Sequence, residues 1–241
     1  HGYTVYVDTG IYPRSTPLVL AIPSASATNR LVIQGSPNEA AGGSVFTNSS
    51  ADGAVIELQS IRMLDLRDLR LHGGRQGLLF TQSSLNNITR VRAVGNRGNA
   101  FELSAVSDRN RFIQCAALHF FRTGLHVAAS INYPATNYWE NGVMASPPVS
   151  SNGTVVATGA MMGAQSGRIY ASNSVFVAAG PAHGIFDVAP TAFRGDYNAY
   201  HRPQSNLFAR IANSGILFGV QEIAIDNLRA WRAANPSDAN S

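Results

Sequence analysis

The chain has 241 residues, 45% hydrophobic and only 13% charged, with 22 glycines and 11 prolines; this balance suits an all-β body with many tight turns and excludes a disordered chain. It contains no lysine, so its 18 basic residues are all arginine, which excludes a lysine base or Schiff-base chemistry, while a formal net charge of +4 favours anionic partners. No Lys/Arg run or aromatic-basic interleaving points to nucleic acid, and there is neither a signal peptide nor an apolar run of roughly 18 residues to insert into a membrane.

From the N-terminus, Tyr3-Thr4-Val5-Tyr6-Val7-Asp8 alternates as a half-buried strand does, and Gly10 ends the run. Leu18 to Ile22, Leu31 to Gly35 and Val55 to Leu58 predict further short strands, separated by turn-rich stretches such as Ser36-Pro37-Asn38 and Gly42-Gly43. From Leu66 to Val127 the pattern becomes a repeat. Leu66, Ile88 and Phe112 open successive copies; Leu69, Val91 and Cys115 follow, then Leu71, Ala93 and Ala117, then Leu78, Phe101 and Leu125, at offsets of 22 to 24 residues. Gly77, Ala100 and Gly124 precede the last apolar group of each copy, and Asn87 and Asn110 mark the turn before the next. One such unit cannot bury its own apolar face, so the copies must stack, and the period predicts a parallel β-helix occupying residues 1–241 as a single domain.

After Val127 the period breaks. Residues 128–167, with Pro134, Pro147, Pro148, Asn152-Gly153 and Met161-Met162, are expected as an irregular insertion between coils, in which only Trp139 and Val155-Val156 look like coil positions. Coils resume at Ile169-Tyr170 and Val175-Phe176-Val177, with Gly184 where Gly124 stood. A short helix is predicted over 226–234: Asp226 caps it, Leu228 and Trp231 share one face, and Pro236 stops it. With no cap visible at either end, the chain is expected to be a piece of a longer polypeptide, whose uncapped coils also offer a route to end-to-end self-association.

Asp196-Tyr197-Asn198-Ala199-Tyr200, Leu228-Arg229-Ala230-Trp231 and the closing Asp238-Ala239-Asn240-Ser241 resemble bacterial right-handed parallel β-helix proteins, whose coils often end in a "DYN-x-Y" strand and a short "L-x-x-W" helix. The opening Tyr3 to Tyr12 is similar to that family's first coil and Leu31 to Gly35 to its second, so the likeness spans nearly the whole chain. Asn235-Pro236 departs from the usual Thr-Gly. The resemblance implies an all-β, right-handed, single-stranded solenoid with a short C-terminal helix, at the cell surface or outside the cell. It leaves activity open, because the same scaffold serves polysaccharide lyases, epimerases, hydrolases and non-catalytic surface modules. The lyases of this family typically pair a lysine with an arginine, often beside calcium-binding carboxylates, and its hydrolases use closely stacked aspartates; this sequence has no lysine and no such aspartate triplet.

In a β-helix, residues one coil apart stack at about 4.8 Å, so functional groups fall on outward ladders. Glu57, Leu79, Glu102 and His126 share one line, and Glu102 beside His126 is the candidate catalytic pair, able to orient a general base for abstracting a proton at C5 of a uronate. The other reading is an exposed pair that only helps stacking. Asp187 occupies a similar coil position further along. Arg70 and Arg92 form a second ladder, with Arg67 and Arg90 nearby, Asp65 and Asp68 interleaved and His72 in the same segment. Two arginines facing a groove can hold the carboxylates of an acidic glycan; alternatively they pair with the aspartates across coils. Trp139, with Tyr138, Glu140 and Tyr133, offers a surface for sugar stacking, or else Trp139 packs inside. Asn87, Asn110 and Asn137 read as a structural amide ladder, and the lone Cys115 as a buried, inert thiol.

No His/Cys metal spacing, phosphate loop or nucleophile elbow is present, so neither metal nor cofactor is expected. Three functions remain: a non-catalytic structural or glycan-contacting module that meets acidic polysaccharide, a lyase or C5-epimerase acting on uronate polymers, and a self-associating extracellular filament unit.

Overall fold

The computed structural model describes residues 2–21, 30–104, 106–128, 135–146, 159–164, 167–179, 183–188, 192–201, 209–213, 221–225, 228–234, 236–238 and 240. Among the described residues, three sheets of eight, eight and nine strands form a right-handed parallel β-helix, and each coil contributes one strand to each sheet. The third coil shows the plan: Leu64–Arg67 lies in the first sheet, Leu69–Gly73 in the second and Leu78–Thr81 in the third. Among the described residues every pairing is parallel except the last, where Gln221–Ile225 runs antiparallel to Ala209–Asn213.

The repeat expected over Leu66 to Val127 sets the register. Leu66 pairs with Ile88 and Ile88 with Phe112; Leu71, Ala93 and Ala117 stack likewise, as do Leu78, Phe101 and Leu125. These side chains are buried, and each large one contributes about 1.5–3 kcal/mol by leaving water. Phe101 and Phe112 meet edge to face at 5.3 Å. Gly77 must stay small because a Cβ there would lie 2.7 Å from the Ala93 Cβ.

Residues 128–167 differ from the irregular insertion expected of them. Their described part forms three strands, Thr136–Glu140, Val143–Ala145 and Gly159–Ala164, which place Trp139 on Phe112, Met144 on Ala117 and Met162 on Leu125. The coil is regular inside; only the chain between its strands is longer, which hid the period. Tyr133, Pro134, Pro147, Pro148, Asn152, Gly153, Val155 and Val156 lie outside the described residues.

The helix is present at Leu228–Ala234, while Asp226 and Asn235 are outside the described residues. Trp231 is buried and stacks on Phe186 at 4.4 Å. Its Nε1 and the Tyr200 hydroxyl both donate to Oδ2 of buried Asp238, at 2.8 and 2.6 Å, and Asp196 accepts from Asn240. Asn198 ties Ser174 to the Ala171 carbonyl. Tyr200 of the "DYN-x-Y" stretch and Trp231 of the "L-x-x-W" stretch thus share the Asp238 carboxylate, while Asp196 holds Asn240. No helix among the described residues is long and apolar enough to cross a membrane.

Candidate functional site

The turn from the first sheet to the second is made by a single left-handed residue in coil after coil: Asp68, Arg90, Gln114, Asn141, Asn173 and Tyr197, with φ between 48° and 55°. Asn and Asp accept this conformation readily, whereas an arginine or tyrosine there is held by the ladders on both sides. The sharp bend brings Asp68, Arg90 and Gln114 beside the second sheet's outward residues, Arg70 and Arg92, which are partners in register. Over them hangs the loop carrying a short 3-10 turn, Glu39–Ala41, capped by Asn38 and closed by left-handed Gly42. Glu39 of that loop, Asp68, Arg70, Arg90, Arg92 and Gln114 line a recess of about 380 Å³.

Charge in the recess is unevenly paired. Arg90 grips Asp68 with Nε to Oδ1 at 2.6 Å and Nη2 to Oδ2 at 2.8 Å, and Gln34 also donates to Asp68. This hydrogen-bonded pairing raises the Arg90 guanidinium further above its ordinary value. Arg92 donates from Nη1 to Glu39 Oε2 at 2.9 Å and from Nη2 to Oε1. Arg70 has no hydrogen-bond or ion-pair partner among the described residues. Below the recess, Asp65 takes Arg30 at 2.5 Å, Arg67 at 2.7 Å and Asn87 at 3.0 Å. Arg67 and Arg90 thus pair with aspartates, while Arg70 and Arg92 line one recess in which Arg92 pairs with Glu39.

The ladder Glu57, Leu79, Glu102, His126 exists in that register on the third sheet. It continues through Gly163 to Asp187, so these positions belong to one line. Glu102 Oε2 accepts from Gln76 and Asn99, each at 2.9 Å, and Glu57 Oε1 accepts from Thr81 and Gln59. The structure thus puts Glu102 beside His126 in adjacent strands, but it does not bring them together with Arg70 and Arg92, which lie on a different sheet.

Trp139 requires a correction as a substrate-binding residue. It is 0% exposed, 5.6 Å from Phe101 and 5.8 Å from Phe112, because it occupies the inward position that Phe112 holds one coil earlier. Its outward neighbour Tyr138 stacks on Tyr170 at 5.4 Å, Arg194 lies over the Tyr170 ring at 5.9 Å, and Glu140 is held by Arg111. The amide ladder is also shifted: its buried members are Asn86, Asn110 and Asn137, whereas Asn87 points outward to Asp65. Cys115 is buried, and burial pushes its thiol up to about 12.

Sequence reasoning missed five residues. Glu39 and Gln114 enter the recess from a loop and a turn, off any ladder of alternating residues. At the next corner Arg75, Arg97 and Arg122 stand exposed on successive coils, without an acidic partner among the described residues. Their recurrence at intervals of 22 and 25 residues, close to the coil period, was the available signal. With exposed His72 between the two groups, the second sheet's face and its corner form a basic surface. Among the described residues no three metal-ligating side chains converge.

No protein-family model matches the chain, and no curated protein matches its sequence. Among solved structures, pectate lyase Pel9A is similar, with a TM-score of 0.55 at 12% identity, over 86% of this chain and 69% of that one. At that identity the likeness concerns the fold alone.

Proposed function

We propose that this β-helix is an extracellular module that contacts acidic polysaccharide through the outer face of its second sheet, with the carboxylates seated in the Arg70, Arg90 and Arg92 recess. One observation carries the reading: Arg70 lacks a partner among the described residues, yet stands one coil from Arg92 in a recess. A guanidinium fork matches a carboxylate in shape and charge, and an unpaired one gains from an anion without first breaking an internal pair. Arg75, Arg97 and Arg122 extend the positive field along the solenoid, which suits a polymer better than a single sugar. Affinity electrophoresis in gels containing polygalacturonate or neutral dextran tests this. Retardation by the acidic polymer alone, weakened by salt and by Arg70→Ala, is expected; equal migration in the two gels refutes it.

A second reading is favoured by the similarity to a pectate lyase and by the Glu102–His126 adjacency: a lyase or epimerase acting on a uronate polymer. In that reading His126 takes the C5 proton, Glu102 orients the imidazole, and the substrate lies across the third sheet instead of the second. Elimination leaves an unsaturated uronate, so absorbance growth on polygalacturonate or alginate that His126→Ala abolishes would establish the lyase form. Proton exchange at C5 without chain cleavage would establish the epimerase form.

A further inference from the structure

We infer that Glu39 is a built-in competitor for the arginine recess, an internal carboxylate that holds the Arg92 fork in the place where an acidic ligand's carboxylate would bind, and so sets how strongly charged a ligand must be to enter. The inference rests on the acidic-glycan reading above and deepens it.

The two acidic groups of the recess differ in how they are built in. Asp68 is on the turn itself, its side chain is only 5% exposed, and it is gripped by Arg90 and Gln34, so it is part of the scaffold. Glu39 comes from outside the coil ladder, on a one-turn 3-10 segment that contributes no buried residue. Its side chain is 56% exposed, and it reaches Arg92 from 53 residues away in sequence. Both carboxylate oxygens sit on Arg92, the two-point geometry that a uronate carboxylate adopts with a guanidinium.

An exposed pair of this kind is weak, so an incoming carboxylate can displace it. While Glu39 is seated, Arg70 is the recess's one cation without an acidic partner among the described residues; once it leaves, Arg70 and Arg92 stand one coil apart as a two-cation clamp. A ligand with a single carboxylate gains little by evicting Glu39, since it exchanges one carboxylate for another. A ligand with two adjacent carboxylates gains the second contact as well, so the device discriminates by charge density. The apparent affinity is reduced by the fraction of molecules in which Glu39 occupies the fork.

Four variants and one double-mutant cycle test this, with polygalacturonate oligomers titrated at low salt. Glu39→Gln keeps the shape and removes the charge; it is expected to tighten binding by about two- to sixfold, the range set by the modest strength of an exposed pair, and to steepen the salt dependence. Asp52→Asn removes the same charge from an exposed turn that does not line the recess and should leave affinity unchanged. Arg92→Ala should cost more in the Glu39→Gln background than in the parent, because only there is the fork free. Equal gains from Glu39→Gln and Asp52→Asn would reduce the effect to net charge and overturn the inference. Weaker binding by Glu39→Gln would also overturn it, making Glu39 a support for Arg92. In either case loss of binding in Arg70→Ala would leave the glycan reading standing. If neither the parent nor Glu39→Gln binds, both fall together.

Discussion

The outer faces of the second and third sheets are built from the same coils in the same register, yet they treat charge in opposite ways. On the third sheet, Glu57 and Glu102 have neutral donors within hydrogen-bond reach: Thr81 and Gln59 for one, Gln76 and Asn99 for the other. On the second, positive groups outnumber the acids that meet them, and Arg70 is left over among the described residues. Stacking alone does not explain this, because a ladder of like charges one coil apart is repulsive and Arg70 and Arg92 are direct partners. A solenoid that keeps such a pair on one face and locally satisfied carboxylates on another carries a surface suited to anions on the first.

The difference can be broken most directly by binding. Replacing Arg70 and Arg92 together by alanine should weaken polygalacturonate binding on the order of 100-fold, measured by calorimetry at low salt, whereas Glu102→Gln combined with His126→Asn should stay within about twofold. A larger loss from the third-sheet pair would move the site to that face.

The next effect is on stability. Asp65 is nearly buried beneath Arg30, Arg67 and Asn87, so Asp65→Ala leaves part-buried cations without their carboxylate and should cost about 2–3 kcal/mol in denaturant unfolding. Glu102→Gln, which exchanges one acceptor for another at a half-exposed site, should cost no more than about 0.5 kcal/mol.

The interior behind the second sheet adds a pH signature. Burial raises the Cys115 thiol from its ordinary 9.0 to about 12, so above pH 9 the unfolded chain loses a proton that the folded chain keeps. The contribution is fully present below that pH and falls as pH rises from 9 to 12, by about 1.4 kcal/mol per unit. Cys115→Ala should flatten the alkaline limb of a stability–pH curve, and an unchanged slope would assign that limb to other groups.

Much of the fold was legible because inward positions repeat the same chemistry. Leu66, Ile88 and Phe112 are all large and apolar, and no polar residue interrupts their column. Trp139 belongs to that column too, but a longer stretch before its strand concealed it, and an aromatic residue outside a visible period reads equally as surface or core. The Asn86 and Asn87 exchange shows the finer limit. In an extended chain adjacent residues face opposite sides, so a one-residue slip trades a buried amide for one that meets Asp65 outside. The recess was half legible: Arg70 and Arg92 lie on a ladder that periodicity reveals, whereas Glu39 arrives from a loop whose position depends on the folded coils.

The buried amides have one more consequence. Asn86 donates to Asn110 at 3.0 Å and Asn110 to Asn137 at 3.1 Å, so all the dipoles in the row point the same way along the solenoid axis. Such a row has a head and a tail, like a short polarised wire, and its members reinforce one another. Each link is also a slow clock for solvent: the side-chain protons of Asn110, closed in between two coils, should exchange with water only when neighbouring coils part, giving a site-specific reading of how often the middle of the solenoid opens.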